Sequence, residues 1–276
     1  MRLGQVDTIA QTEILRSIRH LIVDMDGVLY RGAEMIPGAP QLLTFLRQQG
    51  IGFVLATNNG TRTPQQFVDK LAGMGVEVEP AEILTSAQAT AGYLSGIAPP
   101  GTRVFVVGMD GLRTALQGAG FELVEHDPEY VVAGMDFKIC YERLAQATLH
   151  VRAGAGFVAT NPDLTFPSER GIVPGAGALL ALLEAATGVK PHVIGKPETA
   201  MMEQAMLRLG AARETTAALG DRLETDILAG RRAGLRTLLV LSGITDRPLL
   251  AASEIQPDLV FENVADLWAT WKEVLA

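Results

Sequence analysis

The 276-residue chain reads as an α/β protein built on a doubly wound parallel sheet. Two observations predict this. Short apolar runs rich in Val, Ile and Leu alternate with segments of helical spacing, the β-α-β-α order from which parallel sheets are built. Several of those runs stop abruptly at polar or Gly-containing peptides, as buried strands do where they reach a sheet edge.

The first such run is Leu21-Ile22-Val23, followed by Asp24-Met25-Asp26-Gly27. Asp24 and Asp26 therefore lie at a strand's C-terminal edge, where α/β proteins place their chemistry. The preceding segment, 1–20, carries charges throughout and has no continuous apolar stretch, so it is expected to be a leading helix and neither a signal peptide nor a membrane anchor. After the first strand, 39–49 shows helical spacing at Leu42, Leu43, Phe45 and Leu46, and Gly50 ends it. A second buried strand, Gly52 to Ala56, runs into Thr57-Asn58-Asn59-Gly60, and Pro64 opens the next helix.

From about Arg103 the alternation restarts. Strands are expected at 104–107, 130–133 and 156–159, with helices around 112–116 and 144–151. A third stretch carries the strand at His192-Val193-Ile194, then Gly195-Lys196-Pro197, the helix 200–209 with Met201, Met202 and Met206 at core spacing, and the strand 216–219 ending in Gly220-Asp221. A helix around 227–233, strands at 237–241 and 259–261, and a closing helix with Trp268 complete the chain. The cluster Gly96, Pro99, Pro100 and Gly101 marks a linker. The expected division is 1–96 and 190–276 for one domain and 97–189 for an inserted α/β domain.

Composition bounds the function classes. Hydrophobic residues make up 48% and charged residues 20%, an ordinary globular balance, and the net charge of -8 disfavours nonspecific attraction to nucleic acid or an anionic membrane. The single cysteine, Cys140, excludes an intramolecular disulfide and a cysteine metal cage, fits a cytoplasmic protein, and is expected in the core. The four histidines have no metal-site spacing.

Read one at a time, the strand ends have plain alternatives. Asp24 and Asp26 suit an Asx turn as well as two distinct chemical tasks, a turn that Gly27 permits. Thr57-Asn58-Asn59 supplies a hydroxyl, amide groups and backbone N–H donors suited to phosphate oxygens, or a polar loop. Lys196 reaches inward from a rigid elbow or is simply solvated. Asp221 and Asp226 favour a helix N-terminus, or Asp221 completes an oxygen-only Mg2+ site with Asp24.

Taken in order, Asp24-Met25-Asp26-Gly27, Thr57, Lys196 and Gly220-Asp221 through Asp226 resemble the four motifs of the haloacid dehalogenase-like superfamily. Ala159-Thr160-Asn161-Pro162-Asp163, Pro174-Gly175-Ala176-Gly177, Gly195-Lys196-Pro197 and Thr225 to Gly230 extend the resemblance to its NagD-type and para-nitrophenylphosphatase-type branch, over nearly the whole chain after His20. The resemblance implies a Rossmann-like core with an α/β cap inserted between Thr57 and Lys196, and Mg2+-dependent hydrolysis of a small phosphate monoester, such as a sugar phosphate or nucleotide. It implies that Asp24 is the nucleophile, that Asp26 is the general acid and base, and that Thr57, Asn58, Asn59 and Lys196 hold the phosphoryl group. It places Mg2+ on Asp24, the Asp26 carbonyl and Asp221, with Asp226 acting through water. It also implies a homodimer through the cap, with no nucleic-acid or membrane partner. Asn161 and Asp163 either face the leaving group or form a turn, and Arg62 either meets a second anionic group or is solvated. The rival readings are a phosphomutase or phosphotransferase on the same scaffold and a phosphate-sensing or non-catalytic interaction protein.

Overall fold

The structure, a computed structural model, describes residues 8–168 and 171–276. Its strands in chain order are β1 (His20–Val23), β2 (Tyr30–Arg31), β3 (Glu34–Met35), β4 (Gly52–Thr57), β5 (Ile83–Thr85), β6 (Arg103–Val107), β7 (Glu122–Leu123), β8 (Tyr130–Ala133), β9 (Gly156–Ala159), β10 (Thr165–Ser168), β11 (Gly171–Pro174), β12 (His192–Val193), β13 (Thr216–Gly220), β14 (Arg236–Val240) and β15 (Leu259–Phe261).

Six strands form one sheet in the order β15-β14-β13-β1-β4-β5. β1 pairs in parallel with β4 and β13, and β14 continues the parallel ladder from β13 to β15. From β1 the chain first fills one side of the sheet and later returns to fill the other, so the strand order reverses between β1 and β13. In doubly wound folds ligands bind outside the carboxyl ends of the strands at such a switch point. Leu21, Ile22, Val23, Val54, Leu55 and Ala56 are all buried, which is why these strands read as continuous apolar runs rather than alternating ones.

The flanking helices adopt the expected spacing. Ala39–Gln48 turns Leu42, Leu43, Phe45 and Leu46 inward, and the chain reverses at Gly50 with φ 66°. Thr8–Ser17 is the leading helix; the first seven residues of that expectation lie outside the described residues. Its Leu15 carbonyl accepts the indole N–H of fully buried Trp271 at 3.0 Å, which ties it to the closing helix Val264–Leu275. Met201, Met202 and Met206 are buried, as their spacing predicts. Among the described residues no helix is long and apolar enough to cross a membrane.

The second sheet has the order β12-β9-β8-β6-β7 and is parallel throughout. Phe105, Val131, Phe157, Leu180 and Leu183 pack into its core with Ala147 and Val151 of the helix Tyr141–Arg152. β12 belongs here: His192 and Val193 pair with Val158 and Ala159, so the second sheet runs past residue 189, and Lys196 comes just after a strand of this sheet. A two-residue strand has too little periodicity to show which sheet it joins. The hairpin β2–β3 is too short to be read from the sequence for the same reason, and the hairpin β10–β11 was not anticipated from the sequence. Cys140 corrects an expectation: it stands exposed just before the helix Tyr141–Arg152, where the segment leads into the helix from the surface, and does not reach the core.

The chain divides into two compact units. One comprises the chain through Ala56, Val68–Ile83 and Ala205–Ala276; the other comprises Thr57–Phe67 and Leu84–Gln204.

Candidate active site

Within the first unit the β1 and β13 ends bring carboxylates together. The backbone N–H of Asp24 donates to the Leu219 carbonyl at 2.8 Å, which extends the β1–β13 register by one residue and sets Asp24 beside the strand that leads to Asp221. Asp24, Asp221 and Asp226 each offer a carboxylate oxygen, and these oxygens lie within 4.8 Å of one another. Asp221 and Asp226 are buried and Asp24 is half-buried.

Asp226 arrives through an irregularity that periodicity does not reveal. Leu223–Ile227 is a π-helical turn in which the Ile227 N–H donates to the Arg222 carbonyl, and π-bulges recur at functional sites. The wider turn swings the Asp226 side chain back toward Gly220, where a Cβ would stand 2.1 Å from that of Asp226. The Arg222 N–H donates to Asp226 Oδ2 at 3.1 Å and fixes the carboxylate.

A cradle of small residues surrounds Asp221. A Cβ on Gly243 would stand 1.8 Å from Asp221 Oδ2, and one on Gly27 2.5 Å from the same atom. The Ile244 N–H donates to that oxygen at 2.7 Å, and Ser242 Oγ donates to the Gly27 carbonyl at 2.7 Å, so the loop after β14 and the turn after β1 are locked around it. Sequence reasoning missed this loop; its signal was Ser242-Gly243 at yet another strand end.

Three crowded carboxylates repel one another unless a cation is shared between them. An all-oxygen donor set with buried, hydrogen-bonded members fits a hard divalent cation such as Mg2+. The residues present therefore suit the metal.

Asp26 sits in the turn that Gly27 makes at φ 84°, where the Gly27 N–H donates to the Tyr30 carbonyl at 2.8 Å. Desolvation by the surrounding protein pushes the Asp26 carboxyl above its ordinary value, while the Lys70 charge pulls the other way. Asp26 is itself exposed to water. Lys70, which sequence reasoning passed over, lies with its Nζ 3.5 Å from the centroid of the Tyr30 ring.

In the second unit Thr57, Asn58, Asn59 and Lys196 are gathered with Asn161 and Asp163. Thr57 and Lys196 are buried, at 5% and 3% exposure, so the lysine is not a solvated surface residue. Asn58 Oδ1 accepts from the Lys196 N–H at 2.8 Å and Asn58 Nδ2 donates to the Lys196 carbonyl at 2.9 Å. The same Nδ2 donates to the Asp163 carboxylate at 3.2 and 3.3 Å. Asn59 Oδ1 accepts from the Thr61 N–H and hydroxyl, and the Asn59 N–H donates to Thr57 Oγ1. The Asn58 amide is thus engaged within the protein through both its atoms, whereas Asn59 is held through its oxygen, so the Thr57 hydroxyl, the Asn59 Nδ2 and the backbone are the loop's anion donors. Asn161 Nδ2 donates to the Asn58 carbonyl at 2.9 Å, while Arg62 is exposed.

Comparison with known proteins shows the family. A haloacid dehalogenase-like hydrolase family model matches residues 21–122, and a HAD-hydrolase-like model matches 193–267. The acid sugar phosphatase of Staphylococcus epidermidis is 41% identical over 244 residues, covering 88% of this chain and 94% of that protein. The 4-nitrophenylphosphatase of Thermotoga maritima superposes with a TM-score of 0.89 at 36% identity, covering 93% of this chain and 98% of that one. NagD of E. coli K-12 gives 0.85 at 36% identity over 90% and 98%. A glycerol phosphate phosphatase of Mycobacterium tuberculosis, solved in complex with magnesium, gives 0.85 at 34% identity over 92% and 77%. The chain belongs to the haloacid dehalogenase-like hydrolases. Within them it is an enzyme, a phosphatase of the NagD type.

Proposed function

We propose that this phosphatase hydrolyses a small phosphate monoester, a sugar phosphate, nucleotide or related metabolite, in the cytoplasm, with Mg2+ as cofactor and Asp24 as nucleophile. The observation that carries the reading is the convergence of Asp24, Asp221 and Asp226 at the switch point of the sheet. Relatives named for sugar phosphate, nitrophenyl phosphate and glycerol phosphate support the substrate class.

In this reading a carboxylate oxygen of Asp24 attacks phosphorus, forming the Asp24 O–P bond as the bond from phosphorus to the ester oxygen breaks. Asp26 donates a proton to that departing oxygen. It then takes a proton from the water that attacks the aspartyl-phosphate, releasing inorganic phosphate and regenerating Asp24. Dividing the hydrolysis in this way replaces one difficult displacement with two easier ones. Asp24, Asp221 and the Asp26 carbonyl would hold Mg2+, with Asp226 acting through water, and the ion when bound would supply positive charge against the phosphate oxygens. The Thr57 hydroxyl, the Asn58 backbone N–H and the Asn59 side-chain amide bind the transferring group, and Lys196 offsets charge on nucleophile and phosphate. Residues 97–189 serve as a cap that limits the substrate to a small molecule and excludes water.

The test is phosphate release from a panel of sugar phosphates, nucleotides and 4-nitrophenyl phosphate, with Mg2+ and with chelator. Asp24→Asn is expected to abolish turnover while the protein remains folded. Substantial activity in the clean variant overturns the nucleophile assignment, and phosphate recovered on an added alcohol rather than as inorganic phosphate identifies a phosphotransferase.

A further inference from the structure

The side chain of Asn58 has four hydrogen-bonding opportunities, two lone pairs on Oδ1 and two N–H groups on Nδ2. Three of them are used on two residues far away in sequence. Oδ1 takes the Lys196 N–H at 2.8 Å, one Nδ2 hydrogen goes to the Lys196 carbonyl at 2.9 Å, and the other goes to Asp163 at 3.2 and 3.3 Å. The partners settle which atom is nitrogen: the opposite assignment would set two donors face to face at Lys196 N and oxygen against oxygen at the carbonyl and the carboxylate. The amide therefore grips the backbone of Lys196 at both ends of the residue, as a neighbouring strand would.

The clamp is itself held. The Asn58 carbonyl accepts from Ser86 Oγ at 2.6 Å and from Asn161 Nδ2 at 2.9 Å, and the Asp163 N–H donates to Asn161 Oδ1 at 3.2 Å. Gly195 completes it: a Cβ there would lie 2.7 Å from Asn58 Oδ1 and 2.5 Å from the Thr160 carbonyl. Only glycine lets the amide come this close.

We propose that Asn58 and Asp163 are positioning residues for Lys196, with the Asn58 amide clamping the lysine's backbone and the Asp163 carboxylate fixing the amide's orientation. The inference rests on the phosphatase reading for its catalytic consequence, and not for the clamp. A lysine that neutralises a developing charge acts through placement, and a misplacement of about 1 Å costs up to about 100-fold in rate.

The test is a double-mutant cycle on 4-nitrophenyl phosphate hydrolysis, joined to competitive amine labelling read by mass spectrometry. Asn58→Ala is expected to lower kcat about 10- to 100-fold, with a smaller change in KM, and Asp163→Ala less so in the same direction. In the Lys196→Met background the same substitutions should lose most of their effect, because residues that act as one unit are not additive. Labelling of Lys196 should rise several-fold in Asn58→Ala while Lys70, Lys138, Lys190 and Lys272 stay unchanged. Multiplying effects on kcat, or unaltered labelling of Lys196 alone, overturns the proposal. Should Asn58→Ala fail to fold, Asp163→Ala carries both measurements. If the wild type releases no phosphate, the phosphatase reading fails, and the labelling still decides whether the clamp holds Lys196.

Discussion

Asp24 and Asp26 stand one residue apart, yet their surroundings differ, and the difference suits different tasks. Asp24 belongs to the carboxylate cluster, whereas Asp26 lies in the adjoining turn, raised above the usual carboxyl value by desolvation and restrained by Lys70. A carboxyl raised above 3.8 in the folded protein favours folding while protonated, and loses that contribution as pH climbs through the folded-state value. In chelator, the unfolding temperature of Asp26→Asn relative to wild type should therefore rise from acid to neutral pH; a difference that does not move with pH would show the carboxyl is not desolvated. A general acid at Asp26, as proposed, would matter most when the leaving group is poor. Asp26→Ala should accordingly impair alkyl phosphates more than an aryl phosphate, and equal losses would contradict the acid role.

At the scale of elements, the site is made by strand ends and by the turns that leave them. β1 leads into a left-handed glycine turn, β13 into a π-helical turn, and β14 into Ser242-Gly243, whose missing side chain leaves room for Asp221. A methyl group at 243 would overlap the carboxylate, so Gly243→Ala should cost about 1–3 kcal/mol of stability through forced displacement. It should also weaken Mg2+ binding measured by calorimetry. Unchanged affinity would mean that Asp221 does not require the cradle. Asn58 shows the same economy in the second unit, where a loop residue takes the place of a missing strand partner for Lys196.

For the whole molecule the consequence is a linkage between metal and fold. A divalent cation that binds Asp24, Asp221 and Asp226 in the folded chain and not in the unfolded one favours folding. Mg2+ at about 100 times its Kd should add about 2.7 kcal/mol to stability, seen as a higher unfolding temperature than in chelator. Asp221→Asn should remove that increment. An equal Mg2+ response in both proteins would place the metal elsewhere.

Much of this was legible in the chain. The apolar runs of 21–23, 52–56 and 216–219 announced buried parallel strands because strands covered on both faces have no polar alternation to obscure them. The polar residues at their ends announced Asp24, Thr57 and Asp221 for the same reason, since a buried run can stop in polar residues only at an edge. Long-range partners could not be read this way. Nothing in the local pattern of Asn58 indicates that its amide spans to Lys196 and Asp163, and nothing around Asp226 indicates the extra residue per turn that swings it toward Gly220. Nor could the two residues of β12 declare their sheet. The sequence by itself determined which polar residues stand at the strand ends and which strands present them, because those depend on hydrophobic burial along the local chain. Only the tertiary structure decided how the carboxylates are held together and how the lysine is gripped, because hydrogen bonds between residues distant in sequence depend on approach distances that no local pattern encodes.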